Sequence, residues 1–256
     1  MMLFEKIVFG PIVSRRLGIS LGINLLPKKW KVCSMDCIYC ECGWTATKNK
    51  DIKLYDKELI INELQSEFAK LHKKGLKLDS ITYSGNGEPT LHPDFEEITD
   101  NLIALRKQYF PTAQITCLSN STQLHRESVV RALQKIDNPM MKLDAGTQAM
   151  FDKINQPCGV QNIDFICEKL HSFGGKLAIQ TLFLKGILHS GETVDNTTEA
   201  EIAAWIERLK YIRPHTVYLY PIDRPTPAKN LQKIPTEQLT QIAQKLETFI
   251  PKIYAC

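Results

Sequence analysis

The chain has 256 residues, 43% hydrophobic and 23% charged, with a formal net charge of +4. A chain of this size builds a core large enough to hold without disulfides, which excludes a small disulfide-stapled scaffold. No apolar run is long enough to cross a bilayer, and Glu5 and Lys6 interrupt the stretch a secretory leader would need, so a cytoplasmic protein without a membrane anchor is expected.

In chain order, the first notable segment is a loop, Cys33-Ser34-Met35-Asp36-Cys37-Ile38-Tyr39-Cys40, with Cys42 just beyond it. Ile60, Leu64, Phe68 and Leu71 then recur at helical spacing over 57–71, and residues 79–83 read as a short strand. Asp94 followed by Glu97 has the pattern of a helix start, with the helix running through Ile98, Leu102 and Leu105. Next come a strand over 114–118, a helix around 125–135, a strand over 140–143, and helical stretches near 147–155 and 161–173. The clearest strand spans 177–183; Ile202, Trp205, Ile206 and Leu209 mark a helix, and 216–220 is the last strand. Leu239, Ile242 and Leu246 define a final helix that Pro251 stops.

Strand and helix in alternation predict an α/β fold with right-handed crossovers and a parallel sheet. Five such strands plus one near the cysteine loop make six, in a single domain over residues 1–256. Polar, acidic or glycine-rich residues follow most strands: Ser84 to Glu88, Ser119 to Thr122, Asp144 to Gly146, and Asp223-Arg224. Ligands of parallel α/β proteins sit at that edge, so these segments are expected to converge on one site.

Of the eight cysteines, at 33, 37, 40, 42, 117, 158, 167 and 256, four fall within ten residues. Such clustering points to a metal. Three thiolates spaced by three and then two residues can wrap a cubane cluster, leaving the fourth iron open, which marks a catalytic rather than a sealed site. The alternative is a non-catalytic metal-binding module, zinc or Fe–S, in which Cys42 supplies a fourth ligand; its Cys40-Glu41-Cys42 spacing is wrong for a zinc knuckle, and Cys42 reads better as a free thiol beside the site. Cys117 and Cys167 fall on apolar patterns and read as core residues. Residues 1–77 carry 14 Lys and Arg against 8 Asp and Glu. That excess leaves RNA open as a partner beside a plain solubilising surface.

The cysteine spacing, with Tyr39 before the third cysteine, resembles the signature of the radical S-adenosylmethionine (SAM) superfamily. Gly85-Asn86-Gly87-Glu88-Pro89 resembles that superfamily's Gly-Gly-Glu-Pro motif, with Asn86 departing from the plain double glycine. The resemblance implies a partial (β/α)6 barrel and an oxidoreductase-type enzyme with two cofactors, a [4Fe–4S] cluster on Cys33, Cys37 and Cys40, and SAM. Reductive cleavage of SAM would give a 5′-deoxyadenosyl radical that abstracts hydrogen from a substrate not named by the sequence. Gly85, Asn86, Gly87, Glu88 and Tyr39 are the implied SAM contacts, joined by position by Ser119, Asn120, Asp144 and Gln180. An external flavodoxin- or ferredoxin-like electron donor is implied, and the short chain suggests that a partner protein completes the substrate site. The stretch Phe9 to Gly18 resembles the opening of the wyosine-synthetase-like Fe–S oxidoreductases; its Arg15 and Arg16 either steer anions or cover a sheet edge with charge. Tyr218, Tyr220, Asp223 and Arg224 end the last strand and are candidates to face substrate.

Overall fold

The computed structural model describes residues 2–46 and 52–255. Cys256 lies outside them. An antiparallel hairpin of β1 (Val8–Ser14) and β2 (Gly18–Ile23) opens the fold. The cysteine loop follows, then α1 (Lys57–Lys73), β3 (Ser80–Tyr83), α2 (Phe95–Tyr109), β4 (Gln114–Ser119) and α3 (Glu127–Lys135). The chain continues as β5 (Asn138–Lys142), α4 (Gln148–Asn155), α5 (Ile163–His171), β6 (Ala178–Ile187) and β7 (Thr193–Asp195). It ends with α6 (Glu199–Ile212), β8 (Thr216–Pro221), β9 (Leu231–Lys233), α7 (Thr236–Gln244) and β10 (Lys252–Ala255).

The sheet order is β1-β2-β3-β4-β5-β6-β8-β10, with every pair from β2 to β10 parallel. Strands β1 and β10 are the two edges, so the sheet is an open, partial barrel. Short β7 and β9 pair antiparallel with the far half of β6. Alternation along the strands sorts the two faces. Ile81, Tyr83, Ile115, Cys117, Ile179, Phe183 and Val217 pack outward on the helices, where α1 contributes Ile60, Leu64 and Phe68. The inner face carries hydroxyls: Ser20 and Thr82 are 2.8 Å apart, Ser80 and Thr82 3.0 Å, and Ser80 and Thr116 3.1 Å. Each buried hydroxyl is thereby partnered, as burial requires.

All five strands read from the sequence are present, and Cys117 and Cys167 are buried in the core as expected. Three features differ. The sixth strand, β2, precedes the cysteine loop as half of a hairpin, a pairing obscured by the Gly10-Pro11 interruption of β1. Asp94 caps α2 without a side-chain hydrogen bond; its N–H donates to His92 Nδ1 at 3.2 Å, and Glu97 turns outward to Lys57 at 2.6 Å. Beyond Pro251 the chain adds β10 along β8. No helix among the described residues is long and apolar enough to cross a membrane.

Candidate active site

The cysteine loop is stitched to the segment after β3 by backbone. Val32 bridges Gly87 in parallel, its N–H donating to the Asn86 carbonyl at 2.8 Å while the Glu88 N–H donates back to the Val32 carbonyl at 3.0 Å. On the other side the loop is tied to the end of α4: Asp36 N–H donates to the Gln156 carbonyl at 3.0 Å and Ile38 N–H to the Ile154 carbonyl at 2.9 Å. Cys33, Cys37 and Cys40 consequently face one pocket of about 510 Å³ at the C-terminal ends of the strands, shared with Gly85, Gly87 and Glu88.

The sulfurs have polar company suited to thiolate ligands. Asn155 Nδ2 donates to Cys37 Sγ at 3.3 Å, and Asn120 Nδ2 reaches Cys33 Sγ at 3.5 Å. Buried Lys31 donates to Asp36 at 3.2 Å and to the Gly43 carbonyl at 3.0 Å. Burial opposes the Lys31 charge, but Cys40, Cys33, Cys37 and Asp36 together hold its pKa above the ordinary value. Burial pushes the Cys33 thiol up to about 12. Cys42 lines the same pocket and donates to the Gly85 carbonyl at 3.3 Å. Among the described residues no three His, Cys, Asp or Glu side chains converge closely enough to clasp a single metal ion. The three thiols line one pocket with amide donors beside two of them, a donor set that fits a thiolate-held cluster.

Glu88 is fully committed. Its carboxylate accepts from Thr90 N–H at 3.1 Å, Thr90 hydroxyl at 2.5 Å, Ser119 hydroxyl at 2.9 Å and Asn120 N–H at 2.6 Å. Burial raises its pKa against those bonds. Ser119, Asn120, Gln180 and Tyr39 also line the pocket, as the sequence leads one to expect.

Two expected SAM contacts are placed otherwise. The Asn86 side chain turns away, donating to the carbonyls of Phe4 at 2.8 Å and Pro27 at 2.9 Å; its polarity is spent on pinning the N-terminal segment. Asp144 is closed off beneath the pocket. It accepts from Leu182 N–H at 2.9 Å, Asn155 Nδ2 at 2.7 Å and Lys142 Nζ at 3.3 Å, and from the Tyr39 hydroxyl, leaving no face for a ligand. Lys142 and Lys31, which line the pocket, were not legible: a lysine on a strand or beside a loop reads as surface unless its burial is known. Of the candidates in and just after β8, Tyr220, Asp223 and Arg224 line the pocket, while Tyr218 is buried against Met140 and Ala178. Cys158 is exposed, its N–H donating to the Ser34 carbonyl at 2.8 Å.

Residues 29–195 match the model of the Radical SAM superfamily. The UPF0026 protein MJ1312 of Methanocaldococcus jannaschii is 32% identical over 251 residues, covering 96% of this chain and 73% of that protein. A radical SAM methyltransferase from Sphaerobacter thermophilus has the same fold with a TM-score of 0.63 at 15% identity, covering 91% of this chain and 65% of the other. Archaeal TYW1 is similar at a TM-score of 0.52 and 15% identity, over 90% of this chain and 72% of that one.

Proposed function

The chain belongs to the radical SAM superfamily, whose members bind a [4Fe–4S] cluster and SAM and draw on an external electron donor, and from that premise we propose that Cys33, Cys37 and Cys40 hold the cluster and that Gly85 to Glu88 cradle SAM beside it. Held by these cysteines, a reduced cluster would supply the electron for reductive cleavage of SAM to methionine and a 5′-deoxyadenosyl radical, which would take hydrogen from a substrate. The observation that carries the reading is the Val32–Gly87 bridge, which sets three thiols and the glycine-rich segment against one pocket.

The protein's own groups then have definite tasks. Lys31 offsets negative charge gathered by the three thiolates. Asn120 and Asn155 donate to ligand sulfurs, a contact that tunes the potential and fixes the ligands. Gly85 and Gly87, at φ +132° and +134°, let Asn24 and the Val32 backbone pack where a Cβ would stand, which holds the segment against the pocket. Glu88, locked by Ser119, Asn120 and Thr90, ties together the chain ends of β3 and β4 at the segment that would hold SAM. Ser119 and Asn120, which line the same pocket, would be the polar groups that meet its ribose and carboxylate. The electron would come from a flavodoxin- or ferredoxin-like donor. The Phe9 to Gly18 hairpin supports placing the chain near the wyosine-synthetase-like oxidoreductases.

Anaerobic reconstitution with iron and sulfide tests the reading. The expected result is a brown protein that releases 5′-deoxyadenosine and methionine from SAM after dithionite. A colourless protein containing zinc, or a cluster inert toward SAM, would reject it.

A further inference from the structure

Arg16 is the feature of the pocket that the proposed chemistry leaves unused. Every other cation lining it has a carboxylate: Arg15 pairs with Asp223, Lys31 with Asp36, Lys142 with Asp144 and Arg224 with Glu41. Among the described residues Arg16 has no acidic partner. Its guanidinium lies 4.8 Å over the ring of Tyr220 and 3.5 Å from Gln180 Oε1, a neutral setting that leaves the charge uncompensated.

This aim is built into the turn. The Ser14 hydroxyl accepts from the N–H groups of Arg16 at 3.3 Å and Leu17 at 3.2 Å. Leu17 packs against Met140, Ala178 and Tyr218 on the inner face of the sheet. Gly18 has φ +66°, and the Ile19 N–H donates to Asp79 at 2.7 Å. With the residues on both sides fixed, Arg16 is directed inward while Arg15 turns out to Asp223. The Arg16 partner Gln180 lies on β6, while Gly85 and Glu88 follow β3, with β4 and β5 between them in the sheet.

We infer that Arg16 is the recognition group for a carboxylate or phosphate on the substrate, so that the end of the substrate entering the barrel is an oxyanion. A planar guanidinium matches either group with paired hydrogen bonds, and the face of Tyr220 holds the plane for it. The inference rests on SAM occupying the Gly85 to Glu88 segment.

Inorganic phosphate and propionate are titrated calorimetrically into reconstituted, SAM-loaded protein, and in parallel into protein as purified. One of the two anions is expected to bind, and which one binds identifies the oxyanion. R16Q should weaken that binding about tenfold or more, R16K should recover most of it, and R15Q should leave it in place. SAM affinity should be the same in wild type and R16Q. If R16Q instead loses SAM affinity, the anion met by Arg16 is SAM's own carboxylate and the inference falls; it falls equally if neither anion binds or R16Q binds as wild type does. Failure to take up cluster or SAM is seen before any anion is added and counts against the function proposed above, while the as-purified titration still reads Arg16.

Discussion

Val32 and Gly87 approach so closely that a Cβ on Gly87 would lie 1.8 Å from the Val32 carbonyl oxygen. Glycine at 87 is therefore required by the cysteine loop as much as by any ligand, and the two sequence motifs are one structural unit. Gly87→Ala is expected to cost more than about 2 kcal/mol, from backbone strain at positive φ together with the clash, and to lower iron uptake on reconstitution. Gly75→Ala is the control. It has φ +69° but open space around its Cβ position, so it should cost about 1 kcal/mol from strain alone and leave iron uptake unchanged. Equal urea midpoints and equal iron content for the two variants would show that the bridge does not hold the loop.

The cysteines divide by the same geometry. Alanine at Cys33, Cys37 or Cys40 should abolish the reduced-cluster electron paramagnetic resonance signal, because each removal leaves a second iron without a protein ligand. Cys42→Ala should retain that signal, since Cys42 makes its hydrogen bond to the Gly85 carbonyl and the three other thiols remain. Adding SAM should perturb the signal in wild type and Cys42→Ala alike. Loss of the cluster from Cys42→Ala with retention in any of the other three would reverse the ligand assignment.

Much of the site was readable because spacing along a loop survives whatever the loop packs against. Three thiols within eight residues can reach one cluster from sequence geometry alone, and glycines beside Glu88 announce a close backbone approach. Direction is what sequence leaves out. Asn86 and Asp144 follow strands, as ligand contacts do, yet Asn86 reaches back to Phe4 and Pro27, and Asp144 lies under the pocket among four donors. Whether a strand-end side chain points up or sideways depends on neighbours far away in sequence, such as Leu182 and Tyr39. The β1–β2 hairpin escaped for a related reason: four consecutive residues of β1 are exposed, so no apolar alternation marks it.

Asp144 ties the cysteine loop to β5 and β6, and its removal should be felt as stability. Asp144→Asn keeps the volume but leaves the Lys142 ammonium facing an amide and puts a donor against Asn155 Nδ2. The expected loss is about 3 kcal/mol, the low end for breaking a buried pair, because Lys142 retains some solvent. Lys142→Met should cost less, since Asp144 keeps three other donors, and Lys142→Met combined with Asp144→Asn should cost less than the sum of the two. Urea denaturation of all four proteins measures the coupling. Additive losses would mean that the two charges do not sense each other.

Acid should act on the loop through Asp36. Burial alone would raise its pKa, but hydrogen bonding from Thr45, whose N–H donates at 2.6 Å, and the charge of Lys31 outweigh burial and hold it below the ordinary value of 3.8. A carboxyl depressed in the folded state stabilises the fold fully above its unfolded pKa, and that stabilisation disappears as pH falls through the folded value. Wild type should therefore exceed Asp36→Asn in stability at pH 7 and at pH 5, and the gap should close below about pH 4. The measurement is a set of urea midpoints for both proteins between pH 3 and 7. A gap that stays constant across that range would mean Asp36 contributes through shape alone, and a gap that widens toward acid would give the opposite sign to its coupling with Thr45 and Lys31.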